Sequence, residues 1–226
     1  MKPWRAALLL VGMGLAMPLA ARARPVVVEL FTSQACAACL PADALLASYA
    51  KNPGVLPLSL NVPYWNSPAW KDPDSLAAAT ARQAWYAAIA NSQNVYTPQT
   101  IVDGTVALAG ADAARLETAI AAARAAPAGN VPVSVKGGAM VRITIGMGSG
   151  NANILLLGFD AKRVTHISGG VNRGTVLTEV NVVRSITSLG PWSGQEMAMS
   201  MSRPAGRHMA VLLQAGNGAI IGVGVD

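Results

Sequence analysis

The 226-residue sequence contains only two cysteines and two histidines. Cys36 and Cys39 stand in one Cys-x-x-Cys motif, so no second disulfide can brace the chain. His166 and His208 lie far from them in sequence, which argues against a four-ligand zinc site. Charged residues make up 12% of the chain and hydrophobic ones 52%. That balance excludes a disordered chain and allows a large core. Internal repeats and low-complexity tracts are absent. Beyond the N-terminus no apolar run is long enough to cross a bilayer.

The N-terminus carries its own signal. Lys2 and Arg5 precede an apolar run from Ala6 to Ala16, followed by Pro18 and the small-residue ending Ala21-Arg22-Ala23. This is the layout of a secretory signal peptide over residues 1–23, with a retained anchor as the alternative. A periplasmic or secreted protein is expected, with no stable membrane insertion after cleavage. Removing the leader takes three basic residues and no acids, so the net charge falls from +6 to +3. A scattered excess of that size gives no reason to expect nucleic acid as a partner.

The stretch Val26 to Asp43 organises the rest. Val26-Val27-Val28 reads as a buried strand, Thr32-Ser33-Gln34 as a turn, and Ala42 to Ala50 as a helix, with Cys36-Ala37-Ala38-Cys39 between. A thiol on the first turn of a helix faces unpaired backbone N–H groups and the positive end of the helix dipole. Both favour the thiolate, the species that attacks disulfides. An inert structural disulfide and a metal site are the other readings of the motif. Glu29 interrupts the strand seven positions before Cys36. An acid beneath a dithiol could carry protons to and from the second sulfur; otherwise it is a strand-end carboxylate. Asp43 reads as a helix-start acid.

Further on, Val55 to Leu60 reads as a strand parallel to the first. An aromatic loop with Tyr64, Trp65 and Trp70 follows, then a helix from Asp74 to about Asn91. Tyr96-Thr97-Pro98-Gln99 opens a strand that turns at Asp103-Gly104, and a last helix spans about Asp112 to Ala125. The Thr97–Pro98 bond is expected to be cis and to lie against the dithiol. After Ala125 to Asn130, short strands separated by turns suggest a β-sandwich. The expected architecture is therefore an α/β thioredoxin-like domain over residues 24–128 and an all-β sandwich-like domain over 129–226.

The chain also resembles a known family, the exported thioredoxin-like group catalogued as domain of unknown function 1223. The resemblance is carried by Glu29-Leu30-Phe31-Thr32-Ser33-Gln34, Cys36, Cys39, Pro41-Ala42-Asp43, Tyr64-Trp65, Trp70-Lys71-Asp72 and Arg82-Gln83. Tyr86, Val95 to Gln99, Val102-Asp103-Gly104, Asn172-Arg173-Gly174, Asn181 to Arg184 and Trp192 continue it. The resemblance implies no settled reaction. This chain departs from the family in having Ala37-Ala38 in place of Ser-Ser, and Asn61-Val62-Pro63 in place of His-Val-Asp. Losing those hydroxyls removes possible hydrogen bonds to the Cys36 thiolate.

Three functions follow as expectations. The first is thiol–disulfide exchange with protein thiols or disulfides, carried by Cys36, Cys39, Glu29, Thr97 and Pro98 without cofactor or resident metal. The second is Cu(I) handling by the two thiolates, with Met197, Met199, Met201 and His208 as a possible extension. The third is a non-catalytic interaction scaffold whose contact surface includes the aromatic loop. Asn172-Arg173-Gly174 could fold back toward the dithiol or serve only as a turn. The sequence carries no signal for an oligomeric state.

Overall fold

The computed structural model describes residues 24–125 and 129–226; the expected leader over 1–23 lies outside them. Strands β1 (Val26–Thr32) and β2 (Val55–Asn61) are parallel and joined through helix α1 (Leu40–Ser48). Helix α2 (Ala77–Ile89) leads to the antiparallel strands β3 (Gln99–Val102) and β4 (Val106–Ala109), and helix α3 (Ala113–Ala125) follows. The remainder is strand: β5 (Val133–Gly137), β6 (Met140–Ile145), β7 (Ala152–His166), β8 (Val176–Trp192), β9 (Met197–Ser202), β10 (His208–Gln214) and β11 (Ile220–Val225).

These strands do not form the expected pair of domains. The described residues are 43% strand and 20% helix, with three α-helices against one large mixed sheet. That sheet has eight strands in the order β11-β10-β7-β8-β2-β1-β3-β4, so it takes strands from both halves of the chain. Only β5, β6 and β9 stand apart, as a three-stranded sheet. The thioredoxin-like α/β domain followed by a β-sandwich is therefore not what forms. The reason lies in the seam between β2 and β8, which pair in parallel at Ser59 and Val182. Side chains extend the seam: Ser59 Oγ donates to Val180 O at 2.9 Å and Asn181 Nδ2 to Pro57 O at 2.8 Å. A junction so short, between segments more than a hundred residues apart, leaves no periodic trace in sequence.

A second difference concerns β7. Asp160-Ala161 reads as a turn between two strands, yet β7 runs unbroken through it, paired along its length with β8. Its register slips at Ile154/Leu155 and Gly158/Phe159. Bulges of this kind bend a strand without ending it, which lets one long strand serve where two were expected.

Alternation along the strands sorts the core into layers. Val27 and Phe31 of β1 join Leu56, Leu58 and Leu60 of β2 and Leu155 and Leu157 of β7 beneath α2. Val26, Val28 and Leu30 face the other way, under Ala42 and Leu46 of α1 and Leu116 and Ile120 of α3. The three-stranded sheet covers the far end of that second face through Ile143, Ile145, Ile154, Leu156 and Val211. Each of these buried side chains other than Ala42 contributes about 1.5–3 kcal/mol. The first turn of α1 is thereby pinned at the end of β1, with the seam strand β8 alongside.

Candidate functional site around Cys36 and Cys39

The turn after β1 is closed by Cys36 N–H donating to Ser33 O at 3.0 Å and Cys39 N–H donating to Cys36 O at 3.2 Å. A single 3-10 turn, Ala37–Cys39, then runs into α1, whose first turn accepts Pro41 because that position needs no N–H. Cys36 and Cys39 are joined as a disulfide, with Cα atoms 5.4 Å apart. Cys36 is 2% exposed and Cys39 fully buried, while Ala37 and Ala38 between them face solvent.

Three segments converge on Cys36. The Thr97–Pro98 bond is cis, and Thr97 Oγ1 donates to Cys36 Sγ at 3.4 Å while accepting from Trp65 Nε1 at 2.7 Å. Asn172 crosses from the loop before β8 and donates to Gln34 O at 3.0 Å and Cys36 O at 3.2 Å. Gln83 of α2 holds the opening of β3 by donating to Tyr96 O at 2.7 Å, and receives Tyr64 OH at 3.2 Å. Around the disulfide, Tyr64 and Trp65 stay 43% and 44% exposed, so part of the aromatic loop is surface and not core.

Three buried acids, Asp43, Asp72 and Glu179, gather at the turn and helix start that carry the disulfide. Asp43 follows Cys39 by one helical turn and shares its inward face. Both of its carboxyl oxygens are buried without a well-formed hydrogen bond, with the Thr32 hydroxyl the neighbouring donor that favours the ionised form. Burial, then the charges of Glu179 and Asp72, push its pKa well above the usual carboxylate range. Glu179, from β8, accepts from Asn61 Nδ2 at 2.7 Å and Gln34 Nε2 at 2.8 Å. Burial raises it to about 7, with the charges of Asp72 and Asp74 helping and the two amides opposing. Asp72 takes Gln34 N–H at 2.9 Å and Asn61 Nδ2 at 3.0 Å, and burial raises its pKa too.

Residues 27–214 match the family model described as a protein of unknown function, DUF1223. The chain belongs to the DUF1223 family. Among solved structures this DUF1223 chain is similar to a protein from Agrobacterium tumefaciens determined by X-ray crystallography. The two share a TM-score of 0.80 and 32% identity over 91% of this chain and 95% of that one. HBP35 of Porphyromonas gingivalis gives a TM-score of 0.61 at 13% identity over 90% of this chain and 75% of that one, a likeness of fold alone. No curated protein matches.

The site of this DUF1223 protein departs from the sequence reading at Glu29. That residue is fully buried, but it points to the α2 face of β1, where Arg82 grips it through Nε and Nη2. Tyr86 OH donates to the same carboxylate, and Gln214 closes the cluster from β10. Burial alone would lower the Arg82 pKa; Glu29 and Tyr86 outweigh it and keep the guanidinium charged. A carboxylate so paired holds the sheet to α2 and is not the acid beside the thiols. Cys36, Cys39, Thr97 and Pro98 do come together, and Asp43 lies in the first turn of α1, as expected of a helix-start acid, but turns inward.

Glu179 escaped the sequence reading, and Asp72 entered it only as part of the family resemblance, with no role at the site. The available signal was the one that marked Glu29, an acid in an apolar alternating stretch (Leu177-Thr178-Glu179-Val180). Met197, Met199 and Met201 pack against the core of the three-stranded sheet, and His208 stacks on Phe159 at 5.7 Å, so none is a neighbour of the disulfide. Among the described residues no three His, Cys, Asp or Glu side chains are placed to hold a metal. No helix among them is long and apolar enough to cross a membrane. A half-open cleft of about 670 Å³ between α2 and β7–β8, walled by Trp85, Leu155, Ile186 and Arg82, includes none of the residues around the disulfide.

The raised acids predict a pH dependence of stability. Between pH 4.5 and about 7 the folded protein holds a proton on Glu179 that the unfolded chain releases, so stability falls as pH rises through that window. The Glu179 contribution is up to about 3 kcal/mol, and Asp43 acts in the same direction. Urea midpoints at pH 5 and pH 8 should differ in the wild type and differ less in Glu179→Gln, where only the Asp43 part remains. An equal difference in both proteins would place the titration elsewhere.

Proposed function

We propose that this protein carries out thiol–disulfide exchange with protein substrates outside the cytoplasm. The observation that carries the reading is the Cys36–Cys39 disulfide at the start of α1, with Thr97 donating to Cys36 Sγ. A substrate thiolate attacks Cys36 Sγ, the Cys36–Cys39 bond breaks, and Cys39 leaves with the electron pair and takes up a proton. A second substrate thiolate then attacks the substrate sulfur of the mixed disulfide, which closes the substrate disulfide and frees Cys36. The substrate dithiol is oxidised by two electrons and the protein dithiol gains them. The reverse sequence reduces a substrate disulfide. Residues 1–23, with the pattern of a leader, support an exported setting where such substrates occur.

Burial of both sulfurs favours a second reading, an inert disulfide bracing an interaction scaffold whose exposed Tyr64 and Trp65 meet a partner. Titration of the mature chain against glutathione buffers, read by alkylation and mass, separates the two. A reversible midpoint between roughly −120 and −270 mV supports exchange and gives its direction. A pair still oxidised well below about −300 mV would sink the exchange reading and leave the scaffold.

A further inference from the structure

The exchange reading leaves open where the Cys39 proton comes from. Cys39 is fully buried, so water has poor access to it, and a thiolate released there needs a nearby donor. We propose that Asp43 and Glu179 hold a shared proton, one acid from each half of the chain, and that this pair delivers it to Cys39 and takes it back. The inference rests on the exchange reading, which says that Cys39 is the sulfur released.

Geometry carries the assignment. Asp43 sits one helical turn from Cys39 on the same face, is 2% exposed, and has no ion-pair partner, with the Thr32 hydroxyl the one donor placed near its carboxyl. Gln34 Oε1 and Asn61 Oδ1 are also buried without partners, although the amide nitrogens of the same side chains bond Glu179. The Thr32 hydroxyl can donate to one Asp43 oxygen; the other orphaned oxygens here, Gln34 Oε1, Asn61 Oδ1 and the second Asp43 oxygen, are acceptors alone. A proton on a carboxyl supplies the further donor this cluster needs, and without one it carries several uncompensated acceptors at about 1–3 kcal/mol each.

The charges around the pair are unbalanced as well. Thr32 faces Asp43 from β1, Asn61 faces Glu179 from β2, and Asp72 and Asp74 approach from the segment before α2. The nearby cations are Arg163 of β7 and Arg184 of β8, and both are engaged by Asp74. Among the described residues Asp43, Asp72 and Glu179 have no ion-pair partner. Two unpaired carboxylates cannot both ionise cheaply in such a site, so one retains a proton near neutral pH.

In the exchange step the proton moves as follows. Attack on Cys36 Sγ breaks the disulfide, the electron pair goes to Cys39 Sγ, and the carboxyl proton follows it to make the thiol. When the disulfide reforms, Cys39 returns that proton to the carboxylate and attacks Cys36 Sγ, releasing the substrate thiolate.

The test is single-turnover reduction of the full chain by dithiothreitol across pH 5.5–8.5, with each rate divided by the dithiothreitol thiolate concentration. The expected wild-type profile is high at low pH and falls as the pair loses its proton near neutrality. Asp43→Asn and Glu179→Gln should each flatten it and slow reduction roughly 10²-fold at pH 6, the scale of general acid catalysis. A flat wild-type profile overturns the proposal, and so do variants that match the wild type at every pH. Should Asp43→Asn fail to fold, Glu179→Gln and the wild-type profile still decide. Dithiothreitol needs no physiological substrate, so the result stands apart from whether protein thiols are exchanged. A flat profile in a chain that exchanges with proteins removes the relay alone; a sloped profile in a chain that does not removes only the exchange reading.

Discussion

Arg82→Leu is expected to destabilise the fold by about 3–5 kcal/mol, the range for breaking a buried ion pair on one side. Glu29 is fully buried in the central strand and its partners are Arg82 and Tyr86. Removing the guanidinium leaves the carboxylate with one hydroxyl, and β1 has no route to solvent for it. Against a total stability of about 5–15 kcal/mol, that loss is a large fraction. The double variant Glu29→Leu with Arg82→Leu should recover much of it, since a buried pair replaced by apolar groups is often nearly neutral. Urea unfolding of the two single variants and the double variant gives the cycle. A loss below about 1 kcal/mol in Arg82→Leu, or no recovery in the double variant, would show that the pair is not the clamp between α2 and the sheet.

Cys36→Ser is expected to bring thiol–disulfide exchange down to the uncatalysed background, whereas Cys39→Ser should stop it halfway. The asymmetry follows from the surroundings. Cys36 is the sulfur met by Thr97 and lies next to the exposed Ala37, while Cys39 turns inward. With Cys39 gone, Cys36 attacks and is not resolved, so one substrate or glutathione adduct per chain should accumulate and be visible by mass. Unfolding does not confuse the outcome. Closing so small a loop stabilises a fold by only about 2 kcal/mol in the chain-entropy picture. Adducts on Cys39 in Cys36→Ser, and none on Cys36 in Cys39→Ser, would reverse the assignment of nucleophile.

Legibility differed between the two halves of the site. The Cys-x-x-Cys, the inward alternation of β1 and the Thr-Pro step are local patterns, and each could be read within a few residues. Glu29 was recognisable as unusual for its strand, but its partner was not, because Arg82 meets it across fifty-three positions and through tertiary packing alone. Glu179 and Asn172 were harder still. They belong to strand and loop segments whose own patterns are ordinary, and they reach the disulfide only because β8 docks on β2. The architecture failed for the same reason: local signals divided the strands into a first and a second set, while the eight-stranded sheet joins both sets through one seam. Where the family tends to have His before Val, this chain has Asn61, and it joins Asp72 to Glu179 through one amide nitrogen. An amide at that place supplies hydrogen bonds and no charge, which leaves the acids to settle their own ionisation.

The β2–β8 seam also bears on the order in which the protein is made. Synthesis delivers the cysteines first, and more than a hundred residues separate β2 from the strand that closes against it. Until β8 arrives, β2 presents an open strand edge of the kind that invites pairing with other chains. The cysteines meanwhile lack the Asn172 cap and the Glu179 carboxyl. A nascent chain therefore carries an exposed, uncapped thiol pair beside an adhesive edge, and a sheet closed by so distant a contact forms slowly. Mispairing is favoured in that interval, so holding factors and thiol-protecting conditions during synthesis should govern yield more than the stability of the finished fold.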